Sequence, residues 1–190
     1  MAAHVPSLFA SREQSVIAPD RRQSRSALFA GDTMASYPPA YHITWGTYGT
    51  RLRGGPAPYV DRDHNVYGTP LPTPDPELEA MDRRNLKHDP VYLTREQIAA
   101  TEAAIREVAA RYEWPIHALS AKEDHVHVVI TAPREGEALR DALKAVACKA
   151  LNKQFGRREW WAEKGSAKYL YERPYFLNAV AYVQRQHENI

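Results

Sequence analysis

Ala121-Lys-Glu-Asp-His-Val-His-Val-Val-Ile-Thr131 is the stretch from which the fold and the chemistry can both be read. The run from His125 to Ile130 is rich in β-branched residues and ends ahead of Pro133, as a strand should. Side chains alternate along a strand, so His125, His127 and Val129 share one face and Val126, Val128 and Ile130 the other. Two imidazoles on one face, about 7 Å apart at the backbone, can converge on a single divalent ion. A half-buried strand whose open face merely carries two histidines is the plainer alternative. The rest of the chain has to decide between them.

Working outward, Pro115 to Ala121 reads as another strand, and the short link Lys122-Glu123-Asp124 predicts that the two pair antiparallel. Upstream, Thr94-Arg-Glu-Gln97 has the form of a capping box and predicts a helix to about Tyr112. Ile98, Ile105, Val108, Ala109 and Tyr112 would form its buried stripe. Downstream, Glu135 to Phe155 shows the helical period again through Leu139, Leu143, Val146, Ala147, Ala150 and Leu151. Trp160 and Trp161 read as core anchors, and Ala167 to Tyr171 as a short strand. Pro174 suits the first turn of a last helix. Phe176, Leu177, Val180 and Val183 would be its apolar side; Asn178, Tyr182, Arg185, Gln186 and Asn189 fall on another. Tyr182 and Gln186 are four apart and so share one face. At the other end, Tyr41 to Tyr48 is aromatic and β-branched and reads as the first strand.

The 190 residues suffice for one domain with a sizeable core. No apolar run reaches membrane-spanning length, and Met1 to Val5 lack the pattern of a secretory signal. The single cysteine, Cys148, excludes an internal disulfide, fits a reducing cytoplasm, and reads as a small helical core residue. Residues 1–36 scatter their apolar positions without period and read as a disordered extension, with Met34 as an alternative start. The ordered domain is expected over 37–190. Within it, 49–90 is so rich in Pro and Gly that it reads as one long insertion loop. A net charge of +2 and a pI near 8.6 say little about partners by themselves. The distribution says more. Arg51, Arg53 and Arg62 interleave with Tyr59 and Tyr67 in the loop, a mixture suited to nucleic-acid backbone and unpaired bases. Arg140, Lys144, Lys149 and Lys153 lie off the apolar stripe of their helix and could track phosphates, although basic helix faces are usually just solvated.

Taken in order, the aromatic first strand, the helix from Thr94, His125-Val126-His127, the Leu- and Lys-bearing helix and the terminal Tyr182…Gln186 resemble the single-tyrosine HUH transposases. That group includes insertion-sequence transposases and REP-associated tyrosine transposases. The resemblance covers about residues 37–190 and extends to Tyr41-His-Ile-Thr-Trp-Gly-Thr-Tyr-Gly-Thr-Arg-Leu52. It implies an α+β fold: a ferredoxin-like antiparallel sheet, helices mainly on one face, and a C-terminal helix carrying the nucleophile. It implies a metal-dependent enzyme that cleaves and rejoins single-stranded DNA, hairpin-bearing at the element ends, through a 5′-phosphotyrosine. Position by position, His125, His127 and Gln186 would be the metal ligands and Tyr182 the nucleophile, with Mg²⁺ or Mn²⁺ as the ion. Some relatives are homodimers that donate the tyrosine helix in trans, and others are monomers. A domesticated DNA-binding protein of the same fold, a rolling-circle or mobilisation nickase, and a metal-dependent hydrolase in which water attacks are the rival readings. Tyr175 is the rival nucleophile, and Gln184 and His187 could reach a metal after a helix shift.

Overall fold

Apolar residues at alternate positions of four short strands give a sheet with two faces to cover, and helices cover both. The structure, a computed structural model, describes residues 39–55 and 73–188. The elements run β1 (Ala40–Gly46), α1 (Pro76–Arg84), α2 (Arg95–Arg111), β2 (Ile116–Ala121), β3 (His125–Ile130), α3 (Gly136–Phe155), β4 (Ser166–Leu170) and α4 (Arg173–Glu188). The strands form one antiparallel sheet in the order β2-β3-β1-β4. β1 and β2 both run antiparallel to β3 and so parallel to each other, with α2 between them in sequence. β3 and β4 are related in the same way through α3. Crossovers of this kind share one hand, so both helices land on the same face. This is the ferredoxin-like α+β arrangement expected from the sequence.

The two faces bury different cores. On one, Ile43 and Trp45 of β1 and Val126, Val128 and Ile130 of β3 meet Ile105 and Ala109 of α2 and Leu139, Leu143, Ala147 and Leu151 of α3. Each of these large side chains contributes roughly 1.5–3 kcal/mol by leaving water. Trp160 and Trp161 close that core, 2% and 6% exposed, and satisfy their indole N–H groups on Asn152 Oδ1 (2.9 Å) and the Lys144 carbonyl (3.1 Å). On the opposite face a smaller cluster of Ala40, Ala118, Val129 and Leu170 receives Ala179 and Val183 of α4. Among the described residues, the last helix is the element that lies across the face that carries the histidines.

Thr94 caps α2 in the expected capping box with Gln97. Two predicted stripes need correction. Tyr112 is the C-cap of α2 and is exposed, stacked on Trp114 with centroids 5.0 Å apart, because the helix ends before it can turn inward. Leu177 is exposed as well, since the small residue Ala179 is what lets α4 approach the sheet. The reading of 49–90 as one unbroken loop is also corrected. Asp75 caps α1, its carboxylate accepting from the N–H groups of Glu77 and Leu78 (both 3.1 Å), and Pro76 occupies the first turn, where a missing N–H costs nothing. The two sides of the insertion meet at Gly54, whose carbonyl accepts from Asp75 N–H at 2.8 Å. Gly54 has φ +75°, and a Cβ there would fall 2.2 Å from the Asp75 carbonyl oxygen, so only glycine fits. The expectations for residues 1–36 and for Tyr59, Arg62 and Tyr67 lie outside the described residues.

Candidate active site

Register places the polar residues of the open face in rows. Thr44 on β1 pairs with His127 on β3, which in turn pairs with Ser120 on β2; Ser166 on β4 extends the row past Thr44. The neighbouring row holds Ala118, Val129, His42 and Lys168. His125 stands opposite Gly46 at the end of β3, with its ring centroid 4.7 Å from that of His127.

Each histidine is held through its Nδ1. The ring of His125 donates from Nδ1 to the carboxylate of Asp124, which thereby sits below the ordinary carboxylate range. Asp124 is itself fixed by the strand-end loop. Its carbonyl accepts from Thr47 N–H (2.9 Å), Thr47 Oγ1 (3.1 Å) and Thr50 Oγ1 (3.4 Å), and Arg51 reaches its carboxylate at 3.4 Å. His127 Nδ1 meets the Thr44 hydroxyl at 2.8 Å, with His42 Nε2 3.3 Å away behind it. Among the described residues neither Nε2 has a hydrogen-bond partner. Burial first, and then the nearby charges of His125, His42 and Arg51, push His127 down to about 3. Burial and Lys168 push His42 down to about 4. Both rings are therefore neutral at physiological pH, the state in which an imidazole donates a lone pair.

The last helix brings Tyr182 over this face. Its ring centroid lies 5.3 Å from that of His127 and 6.1 Å from that of His42, with the phenol 40% exposed. Tyr175, two turns earlier, pairs with Tyr171 at 5.4 Å instead. Gln186 follows Tyr182 by one turn on the same helix face and is half-buried. Among the described residues, Arg51 is the one basic residue singled out from the sequence that stands at the histidines. Arg53 is clasped by Asp82 (Nη2–Oδ1 2.6 Å), and Arg140 by Asp141 (2.9 Å) and the Gly165 carbonyl (3.0 Å). Lys144 donates to the carbonyls of Ala162 (2.7 Å) and Glu163 (2.9 Å). Lys149 and Lys153 line the groove between α2 and α3, on the far side of the sheet. His42 and Thr44 were missed in the sequence. Their two-residue spacing in an aromatic strand was the available signal, but only the β1·β3 register shows where they point.

The family described as "Transposase IS200 like" matches residues 86–188. This chain belongs to that family. The transposase match takes in α2 through α4 and so the histidine pair, Tyr182 and Gln186. It identifies the chain as a single-tyrosine HUH transposase, as the sequence resemblance implied. The similar solved structures include two transposases. One is a candidate transposase from Deinococcus radiodurans R1, at 15% identity, covering 83% of this chain and 96% of that one, with a TM-score of 0.45. The other is a REP-associated tyrosine transposase bound to a REP hairpin, at 13% identity, covering 80% and 70%, with a TM-score of 0.46. Curated protein sequences yield no match. Among the described residues of this transposase, no helix is long and apolar enough to cross a membrane, and no three His, Cys, Asp or Glu side chains are grouped to hold an ion.

Proposed function

We propose that this chain cleaves and rejoins single-stranded DNA through Tyr182, at a divalent ion held by His125, His127 and Gln186. The observation that carries the reading is the approach of the Tyr182 ring to within 5.3 Å of the His127 ring. Two features of the residues fit an ion. Both Nδ1 atoms are engaged by Asp124 and Thr44, which leaves both Nε2 atoms as donors. Ser120 Oγ, fully buried beside His127, has no hydrogen-bond partner among the described residues, so this face has polar capacity to spare. Mg²⁺ or Mn²⁺, when bound, would polarise the scissile phosphate and neutralise its growing charge.

The chain's own residues do the rest. A free phenol is mostly protonated at neutral pH and needs both orientation and loss of its proton to attack. Docking of Ala179 and Val183 on the sheet orients α4 so that Tyr182 faces the histidines. The phenolic oxygen bonds to phosphorus as the bond from phosphorus to the 3′ oxygen breaks. The phenolic proton is lost and the leaving 3′ oxygen gains one. The products are a 5′-phosphotyrosine and a free 3′-hydroxyl. Attack of a 3′-hydroxyl on that linkage reverses the step and returns the phenol, so rejoining needs no external energy source. Hairpin-bearing ends of a mobile element, in the cytoplasm, are the substrate we favour. The test incubates wild type and Tyr182→Phe with labelled hairpin-bearing single strands from beside the gene, with and without Mn²⁺. A denaturation-resistant protein–DNA band that needs metal and Tyr182 is expected. Binding without an adduct would instead mark a non-catalytic DNA-binding protein, and an adduct surviving in the variant would move the nucleophile to Tyr175.

A further inference from the structure

The cations of this chain are not equally available. Arg51, Arg53 and Arg140 each face a carboxylate, and Lys144 is spent on backbone carbonyls. Lys168 differs. It is exposed on the edge strand β4, directly across from His42 in register, on the face that carries the histidines and Tyr182. Among the described residues no carboxylate lies within ion-pair distance of it. Its charge is felt at His42, where it adds to burial in disfavouring the imidazolium.

Immediately beyond β4 stand two exposed phenols. Tyr171 is 64% exposed and Tyr175 48%, with ring centroids 5.4 Å apart. Tyr175 precedes Tyr182 by seven residues, two turns, so both project from one side of α4 about 10 Å apart along its axis. Asn178, also exposed, falls between them on that side. That separation matches about three nucleotides at the ~3.4 Å rise of a stacked strand, and fewer in a stretched one. A cation for phosphate, followed by aromatic faces for bases and ending at the nucleophile, is the composition of a single-strand track.

Building on the function proposed above, we infer that Lys168, Tyr171 and Tyr175 form the track that seats the unpaired DNA strand leading to Tyr182. The strand runs over the β4 edge and the first turns of α4, not along the basic side of α3. Lys168 takes a backbone phosphate close to the histidines, and Tyr171 and Tyr175 stack on bases one to three nucleotides away. The geometry gives each residue a distinct signature: a salt-dependent term from the lysine and a stacking term from the phenols.

The experiment measures binding of a fluorescein-labelled oligodeoxythymidine of about 20 nucleotides to the full chain across a salt series. Lys168→Ala is expected to weaken binding severalfold and to reduce the salt slope by about one phosphate contact. Tyr175→Ala and Tyr171→Ala are each expected to weaken it about tenfold with the slope unchanged, and Tyr175→Phe to restore it. Thermal melts of each variant separate loss of binding from loss of fold. Unchanged affinity in the three alanine variants, with a larger loss in Lys149→Ala/Lys153→Ala, would overturn the track and route the strand along α3. A dimer in solution that Tyr175→Ala dissociates without changing DNA affinity would assign the patch to a second copy, and equally overturn it. If wild type binds no single strand with or without Mn²⁺, the function proposed above falls, and the track with it.

Discussion

Thr44 carries no charge, yet its hydroxyl at 2.8 Å decides which nitrogen of His127 faces the site. With Nδ1 occupied, Nε2 is the atom left for a ligand role, and outer partners of this kind typically contribute 10–100-fold to metal affinity. Thr44→Val keeps the shape of the side chain and removes the oxygen. It should lower Mn²⁺ affinity by about that factor, measured by calorimetry on the apo chain, while Thr44→Ser restores most of it. Equal affinity in all three proteins would show that the hydroxyl has no such part. At this scale the sequence was half legible. His125 and His127 lie two apart on one strand, and their common face follows from the pleat alone. Thr44 and His42 acquire meaning only through pairing with a strand some eighty residues away, a register that no local pattern encodes.

Among the elements, α1 shows where counting helix breakers misleads. Pro72, Pro74 and Pro76 suggested uninterrupted loop, but Asp75-Pro76 followed by Glu77 and Glu79 is a helix start with a side-chain cap and an acidic first turn. The position of a proline carried the information, and its frequency obscured it. Arg53 ties the start of the insertion to α1, and its hydrogen bond is the chief reason the Asp82 carboxyl sits below its ordinary 3.8. A depressed carboxylate contributes its stability fully above the ordinary value and loses it as pH falls through the lowered one. The gap in melting temperature between wild type and Arg53→Ala should therefore be constant near neutrality and close below about pH 3.8. A gap that persists in acid would exclude the ion pair as its source. Lys144 has a comparable part between α3 and β4, gathering the carbonyls of Ala162 and Glu163. Charged hydrogen bonds of this kind are worth about 1.5–3 kcal/mol. Lys144→Met should cost about that much in urea unfolding, and a cost below ~0.5 kcal/mol would mean that water replaces the lysine without loss.

For the molecule as a whole, the imbalance between the two faces governs which parts hold firmest. The face under α2 and α3 buries branched side chains with Trp45, Trp160 and Trp161, whereas α4 docks chiefly through Ala179 and Val183. Local opening follows such differences in buried apolar contact. Amide exchange should accordingly be faster along α4 than in the buried turns of α2 and α3, and identical protection would show that α4 is held by more than this cluster. The layer architecture was readable beforehand because alternating strands and helices with short links leave few ways to fold. The unequal thickness of its two cores was not, since it depends on which small residue of α4 meets the sheet.

The clasp between Gly54 and Asp75 has a consequence for redesign as much as for structure. Gly54 and Asp75 flank residues 56–72 in sequence and are tied to each other by the hydrogen bond from Asp75 N–H to the Gly54 carbonyl, so the two ends of that segment are fixed whatever its sequence. Doubling the length of a flexible loop with tied ends costs only about 0.6 kcal/mol. On that ground the segment should accept replacement as a graft on unchanged stock. Replacing 56–72 with a Gly/Ser segment of equal length should leave the melting temperature within a few degrees, while Gly54→Ala should lower it sharply. The opposite ranking would show the graft to be part of the trunk.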